Sequence, residues 1–123
     1  MTIEKILLIE DSRTETLIIS KILEEAGFSV RTAGNAEQAM EKLRIDRPDL
    51  IVMDVVMPGQ SGYQLTRNLA KDPDFSSVPI IICSSKSLET DRVWGLRQGA
   101  RDYITKPVDA KLLLDAIRRI SAA

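Results

Sequence analysis

The stretch Leu50-Ile51-Val52-Met53-Asp54-Val55-Val56-Met57-Pro58-Gly59 decides the fold. Its apolar opening, bounded by Pro48-Asp49 before and Pro58-Gly59 after, has the pattern of a strand buried on both faces, as in parallel sheets. Asp54 then stands at the strand's carboxyl end, where open α/β sheets place their ligands. An acid there can also simply open a loop or cap a helix. Its meaning depends on what the other strands bring to the same edge.

Outward from this stretch, short apolar runs alternate with amphipathic ones, which predicts a βα series without linkers or repeats. Ile6 to Ile9 read as the first strand, and Ser12 with Glu15 as a capping box opening a helix whose inner stripe is Ile18, Ile19, Ile22, Leu23 and Ala26, stopped by Gly27. Residues 28–33 alternate apolar with polar, which suits an edge strand. Asn35 and Gln38 cap a second helix carrying Ala39, Met40 and Leu43. After the central strand, Ser61 and Gln64 open a third helix with Leu65 and Leu69, and Asp72-Pro73 ends it.

Residues 78–83 form another apolar strand, with Pro79 near its start, and lead into Ser84-Ser85. A fourth helix is predicted from near Ser87 to Gly99, with Glu89 and Asp91 in its first turn. Asp102-Tyr103-Ile104 is a short strand at the other edge. Val108, Asp109 and Leu113 have hydrophobic-staple spacing around the start of a fifth helix, with Leu112, Leu113, Ala116, Ile117 and Ile120 inward and an end at about Ile120. Five strands and five helices in alternation imply a doubly wound parallel sheet in the order 2-1-3-4-5, with the topological switch between strands one and three.

The 123 residues are enough for one domain with a sizeable core, and the 44% hydrophobic and 28% charged content is that of a globular protein. A net charge of −1 gives no basic surplus, so no direct nucleic-acid contact is expected. The single Cys83 cannot make an internal disulfide, which fits a reducing, cytoplasmic setting, and its position in an apolar strand marks it as a small core residue. The run Ile6-Leu7-Leu8-Ile9 is too short to enter a membrane. With no histidine in the chain, imidazole chemistry and His-ligated zinc are excluded.

In a parallel sheet all carboxyl ends meet on one rim. Glu10 and Asp11 follow strand one, Asp54 strand three, Ser84 strand four and Lys106 strand five. Three carboxylates at a switch point repel one another unless a cation sits among them. Oxygen ligands without nitrogen or sulfur select a hard ion, Mg²⁺ most readily. Ser84 and Lys106 suit the oxygens of a phosphoryl group, which leaves Asp54 as the nucleophile and an aspartyl phosphate as the product. Each residue alone has a plainer reading: Lys106 as an ion-pair partner, Ser84 as a helix opener, Glu10-Asp11 as part of a cap. It is their joint placement that points to chemistry.

With these residues in place, the whole chain resembles the receiver domains of two-component response regulators, which implies a flavodoxin-like α/β fold. Ile9-Glu10-Asp11 is similar to the family's acidic pair, Met53-Asp54 with Met57-Pro58-Gly59 to its phosphoacceptor loop, Ser84 to its hydroxyl, and Lys106-Pro107 to its lysine with a cis-prolyl bond. The spacings from Asp11 through Asp54 and Ser84 to Lys106 are similar to those of stand-alone chemotaxis receivers. Residues 89–95, 97–103 and 105–109 further resemble the PilH-type single-domain receivers of type IV pilus twitching systems. Glu10 in place of Asp and Ser84 in place of Thr depart from the commonest pattern without changing charge or hydroxyl.

The resemblance implies a histidine kinase as phosphodonor and Mg²⁺ held by Glu10, Asp11, Asp54 and the Val56 carbonyl. It also implies Val56 and Lys86 bordering the path of the hydrolytic water, and Ser84 and Tyr103 acting as switch residues. In this reading Tyr103 turns inward after phosphorylation and changes a face of helix four, strand five and helix five around Arg92, Leu96 and Lys111, where a downstream protein binds. The expected organisation is one monomeric receiver over 1–123, without an output domain and without enzymatic activity beyond its own phosphorylation and dephosphorylation. Three alternatives stand beside it. One is a phosphate sink for the kinase. A second is an Mg²⁺-dependent phosphatase, disfavoured because its Asp-x-Asp pattern finds Val56 at the second acid. The third is a flavodoxin-like redox protein, disfavoured by the absence of a phosphate loop after strand one.

Overall fold

Strands and helices alternate through the described residues, 2–122, of the computed structural model. The strands are β1 (Lys5–Ile9), β2 (Ser29–Ala33), β3 (Leu50–Met53), β4 (Ile80–Ser84) and β5 (Asp102–Thr105), and the helices are α1 (Arg13–Glu25), α2 (Ala36–Ile45), α3 (Gly62–Lys71), α4 (Glu89–Gln98) and α5 (Ala110–Ala122). The sheet is parallel in the order β2-β1-β3-β4-β5, so the two expected edge strands are the edges and the switch point falls between β1 and β3.

Period-two alternation divides the strand side chains between two apolar layers. Leu7, Ile9, Ile51, Met53, Ile80, Ile82 and Tyr103 face the layer closed by Ala39 and Leu43 of α2 and Leu65 and Leu69 of α3, with Leu96 of α4 packed against it. Ile6, Leu8, Leu50, Val52, Ile81, Cys83 and Ile104 face Ile19 and Leu23 of α1 and Leu113, Ala116, Ile117 and Ile120 of α5. β3 is buried at every position, as a central strand covered on both faces must be.

Side-chain caps fix several helix starts. Ser12, Asn35 and Ser61 accept the amides of Glu15, Gln38 and Gln64. The reciprocal half of the box at α1 is absent: the Ser12 amide donates to Glu10 Oε2 at 3.0 Å, and the Glu15 carboxylate turns toward Lys106 instead. At α4 the first helical residue is Glu89, two places beyond Ser87 and near the expected start. The Asp91 carboxylate accepts the Leu88 amide at 3.2 Å, so an acid in the first turn closes the helix end in place of a hydroxyl. Asp109 Oδ1 accepts the amides of Lys111 and Leu112 and starts α5.

Three expected core positions lie outside. Ile18 and Leu112 are exposed, at 45% and 57%, and Ala26 is also exposed, because helices covering one face of a sheet bury a stripe narrower than their full apolar set. Helix α5 runs past Ile120 to Ala122. Met1 and Ala123, the ends of the expected 1–123 domain, lie outside the described residues.

Candidate functional site

Strand register builds the site. Ile9 lies beside Met53, and the next residue of each chain is an acid, Glu10 or Asp54. The Asp54 amide donates to the Ile9 carbonyl and the Glu10 amide to the Ala33 carbonyl, so both acids leave the sheet still anchored to it. On the other side Ser84 lies beside Thr105, and the Lys106 amide donates to the Ser84 carbonyl at 2.8 Å. The Lys106–Pro107 bond is cis.

Lys106 Nζ donates to Glu10 Oε1 at 2.5 Å and to Asp54 Oδ2 at 2.9 Å, with Glu15 Oε2 at 4.0 Å. These groups are nearly dry: 10% of the Lys106 side chain, 1% of Glu10 and 7% of Asp54 is exposed. Burial works to lower the Lys106 pKa, but hydrogen bonds to Glu10 and Asp54 outweigh it and hold the ammonium above its ordinary value. Burial raises the Glu10 carboxyl, against the Lys106 and Ser12 hydrogen bonds.

Asp54 has its two oxygens committed differently. Oδ1 accepts the Val56 amide at 3.1 Å, while Oδ2 holds Lys106. Val56 is half exposed on the loop just past the acid. Glu10, the exposed Asp11 and Asp54 bring one carboxylate oxygen each within 4.8 Å of one another. Three carboxylates facing a single ammonium leave a negative, all-oxygen cluster, a donor set that fits a hard divalent cation.

Ser84 is fully buried, and its Oγ accepts the Lys86 amide at 3.3 Å. Tyr103 is 7% exposed and donates its hydroxyl to the Lys86 carbonyl at 2.7 Å. The ring is thus already inward, which corrects the expectation that it starts outside. Gly95 of α4 makes room for it, since a Cβ there would lie 3.0 Å from Tyr103 Cδ2. Beside it stands Tyr63, whose hydroxyl is pushed well above the usual tyrosine range, first by burial and then by the neighbouring Tyr103 hydroxyl. Cys83 is buried with its thiol pushed up to about 12 by that burial, so it is inert, as read from the sequence.

The sequence reading missed Gly62. A Cβ at this position would stand 2.4 Å from the Asp54 carbonyl oxygen and 2.5 Å from the Val55 Cα, and the Gly62 amide donates to the Val55 carbonyl at 3.0 Å. The first residue of α3 therefore lies directly against the backbone that presents Asp54, and only glycine fits. The signal available was a glycine just after Ser61, where a capped helix needs none.

An acidic pair, an aspartate and a lysine on the rim of a 2-1-3-4-5 sheet define a class of signalling protein. Residues 6–118 match the model of the response regulator receiver domain, and the chain belongs to that family. It is 47% identical over 118 residues to protein PilH of Pseudomonas aeruginosa, a match covering 96% of this chain and 98% of that protein. Among solved structures it is similar to CheY4, a chemotaxis response regulator of Vibrio cholerae, with a TM-score of 0.87, 27% identity and coverage of 97% and 99%. It is also similar to the signal receiver domain of a histidine kinase from Syntrophus aciditrophicus, with a TM-score of 0.87, 38% identity and coverage of 95% and 89%. Among the described residues no helix is long and apolar enough to cross a membrane.

Proposed function

We propose that Asp54 is the phosphoacceptor of a two-component relay and that the protein signals by changing which protein it binds. The observation that carries this reading is the contact of Lys106 with both Glu10 and Asp54 on a rim that Asp11 completes. An Asp54 carboxylate oxygen attacks the phosphorus of a phosphohistidine on the kinase. The new P–O bond forms as the P–N bond breaks, and the electron pair leaves with the imidazole, which takes up a proton.

Lys106 places positive charge next to the oxygen that it already holds. Ser84 reorients its hydroxyl from the Lys86 amide to donate to a phosphoryl oxygen. Mg²⁺ held by Glu10, Asp11, Asp54 and the Val56 carbonyl would offset charge on the transferring group. Tyr103 inward and bonded to Lys86 is the arrangement that phosphorylation favours, and the face around Arg92, Leu96 and Lys111 is where the change is read. The likeness to PilH supports a place in control of type IV pili.

Acetyl phosphate with Mg²⁺ should label the protein once, on Asp54. Label that persists in Asp54→Asn, or in excess EDTA, rules the assignment out. A phosphotransfer profile against the kinases of the same genome then separates a transmitter from a phosphate sink.

A further inference from the structure

We infer that the cleft between α3 and α4 is a second protein-docking surface, and that its occupant is a short acidic segment of a partner protein carrying an aromatic or branched apolar side chain. Trp94, the only tryptophan of the chain, is 49% exposed and Val93 36% exposed, although both lie on a helix whose buried residues are Gly95 and Gln98. Trp94 lines a cleft of about 160 Å³ together with Tyr63 and Arg67 of α3 and Gln98 of α4. Arg67 continues into an adjoining hollow of about 400 Å³ together with Lys71 and Arg97.

Charge complementarity names the occupant. Among the described residues Arg67, Lys71 and Arg97 have no carboxylate within 4.0 Å, whereas most other cations of the helices α4 and α5 are paired: Arg92 with Glu89, Lys111 and Arg118 with Asp115, Arg119 with Asp102. Three unpaired cations beside a half-exposed indole make a surface that takes an acidic chain and one apolar anchor. A nucleic-acid backbone suits it poorly. Glu89 shares the Val93–Trp94 end of the surface, three cations neutralise few phosphates, and the whole chain carries a net charge of −1. Neither Arg92 nor Leu96 lines the cleft or its adjoining hollows, so the surface is separate from the residues proposed to read phosphorylation, and it needs no phosphoryl group on Asp54.

The test uses the unphosphorylated full chain and three pools of nonapeptides. Each pool alternates Phe or Leu with Asp or Glu, with Ser, or with Lys. The acidic pool should shift Trp94 emission and move amide resonances on α3 and α4, with at least tenfold tighter binding than the serine pool. Arg67→Glu with Arg97→Glu should weaken it at least tenfold, and the milder Arg67→Gln with Arg97→Gln should weaken it in the same direction, while the same charge change on α1 and α5, Lys21→Glu with Arg118→Glu, leaves it unchanged. Equal binding of the serine pool, shifts confined to the Asp54 rim or α5, or displacement of the acidic pool by a thymidine oligonucleotide at equal concentration would each overturn the proposal.

Discussion

The Tyr103 hydroxyl donates to the Lys86 carbonyl while the Lys86 amide donates to Ser84 Oγ, so one peptide segment joins the ring of β5 to the hydroxyl of β4. Tyr103→Phe removes a single hydrogen bond and leaves the packing against Gly95 in place. A neutral hydrogen bond is worth about 1 kcal/mol, so stability should fall by roughly that much. Amide exchange at residues 86–88 should rise more than elsewhere. Uniformly faster exchange across the sheet would mean that the bond only supports the core and does not hold this loop.

Lys106→Met leaves two buried carboxylates facing one another without a cation. Removing one partner of a buried ion cluster costs about 3–5 kcal/mol, the upper part of which water entry at the rim should relieve. We expect a loss of roughly 2–3 kcal/mol in urea unfolding at pH 7 with EDTA. Lys106→Met combined with Glu10→Gln should recover a good part of it. A double variant no more stable than Lys106→Met would show that repulsion is not the cause.

Gly62→Ala should slow labelling by acetyl phosphate at least tenfold, because the added Cβ meets the carbonyl of Asp54 itself. Gly27→Ala is the control. Gly27 has φ +99° with nothing within 4 Å of an added Cβ, so that change costs about 1 kcal/mol in backbone strain and leaves labelling alone. Equal labelling rates in the two variants would remove Gly62 from any part in shaping the site.

Asp49 offers a pH test remote from the rim. Its carboxylate accepts the Lys5 and Glu4 amides, both at 2.9 Å, and the Lys5 bond is the main cause holding its pKa below 3.8, with burial opposing. A depressed folded-state pKa contributes stability above the unfolded value and loses it as pH falls through the folded one. Asp49→Asn should therefore be less stable than the parent at pH 7, by roughly 1 kcal/mol. The gap should begin to narrow near pH 3.8 and close only once the pH falls below the depressed folded-state value, as chemical denaturation at a series of pH values would reveal. A gap independent of pH would assign the effect to geometry alone.

Val56 stands half exposed beside Asp54 and offers water no side-chain hydrogen bond. Val56→Asn should shorten the half-life of the aspartyl phosphate several-fold, measured by loss of label after removal of donor. An unchanged or longer half-life contradicts a role for this position in admitting the hydrolytic water.

How much of this could be read from the sequence follows from the range of the interactions. Strand order, edges and rim residues depend on hydrophobic period and on strand ends, which are local; the structure brings Glu10, Asp11, Asp54 and Lys106 to one rim, while the buried Ser84 hydroxyl, at the end of β4, is engaged by the Lys86 amide. The caps at Ser12, Asn35 and Ser61 are local too. Gly62 against Asp54 and Gly95 against Tyr103 are contacts between elements, which no periodicity encodes. The Ser12–Glu15 box failed at its second half because Glu10 took the Ser12 amide, a competition decided only once β1 and α1 meet. Leu112 and Ile18 carried the right spacing but lie beyond the width that the sheet covers.

The contact of Lys106 with Glu10 and Asp54 joins the first, third and fifth strands of the sheet. During synthesis the two acids leave the ribosome long before the lysine does. Until β5 docks they share a closing pocket without the lysine's charge, so the rim stays open to water and the sheet around it stays loose. The ammonium thus acts as the last rivet of the fold. The contact that closes the rim forms only after the final strand is in place, which ties completion of the site to completion of folding.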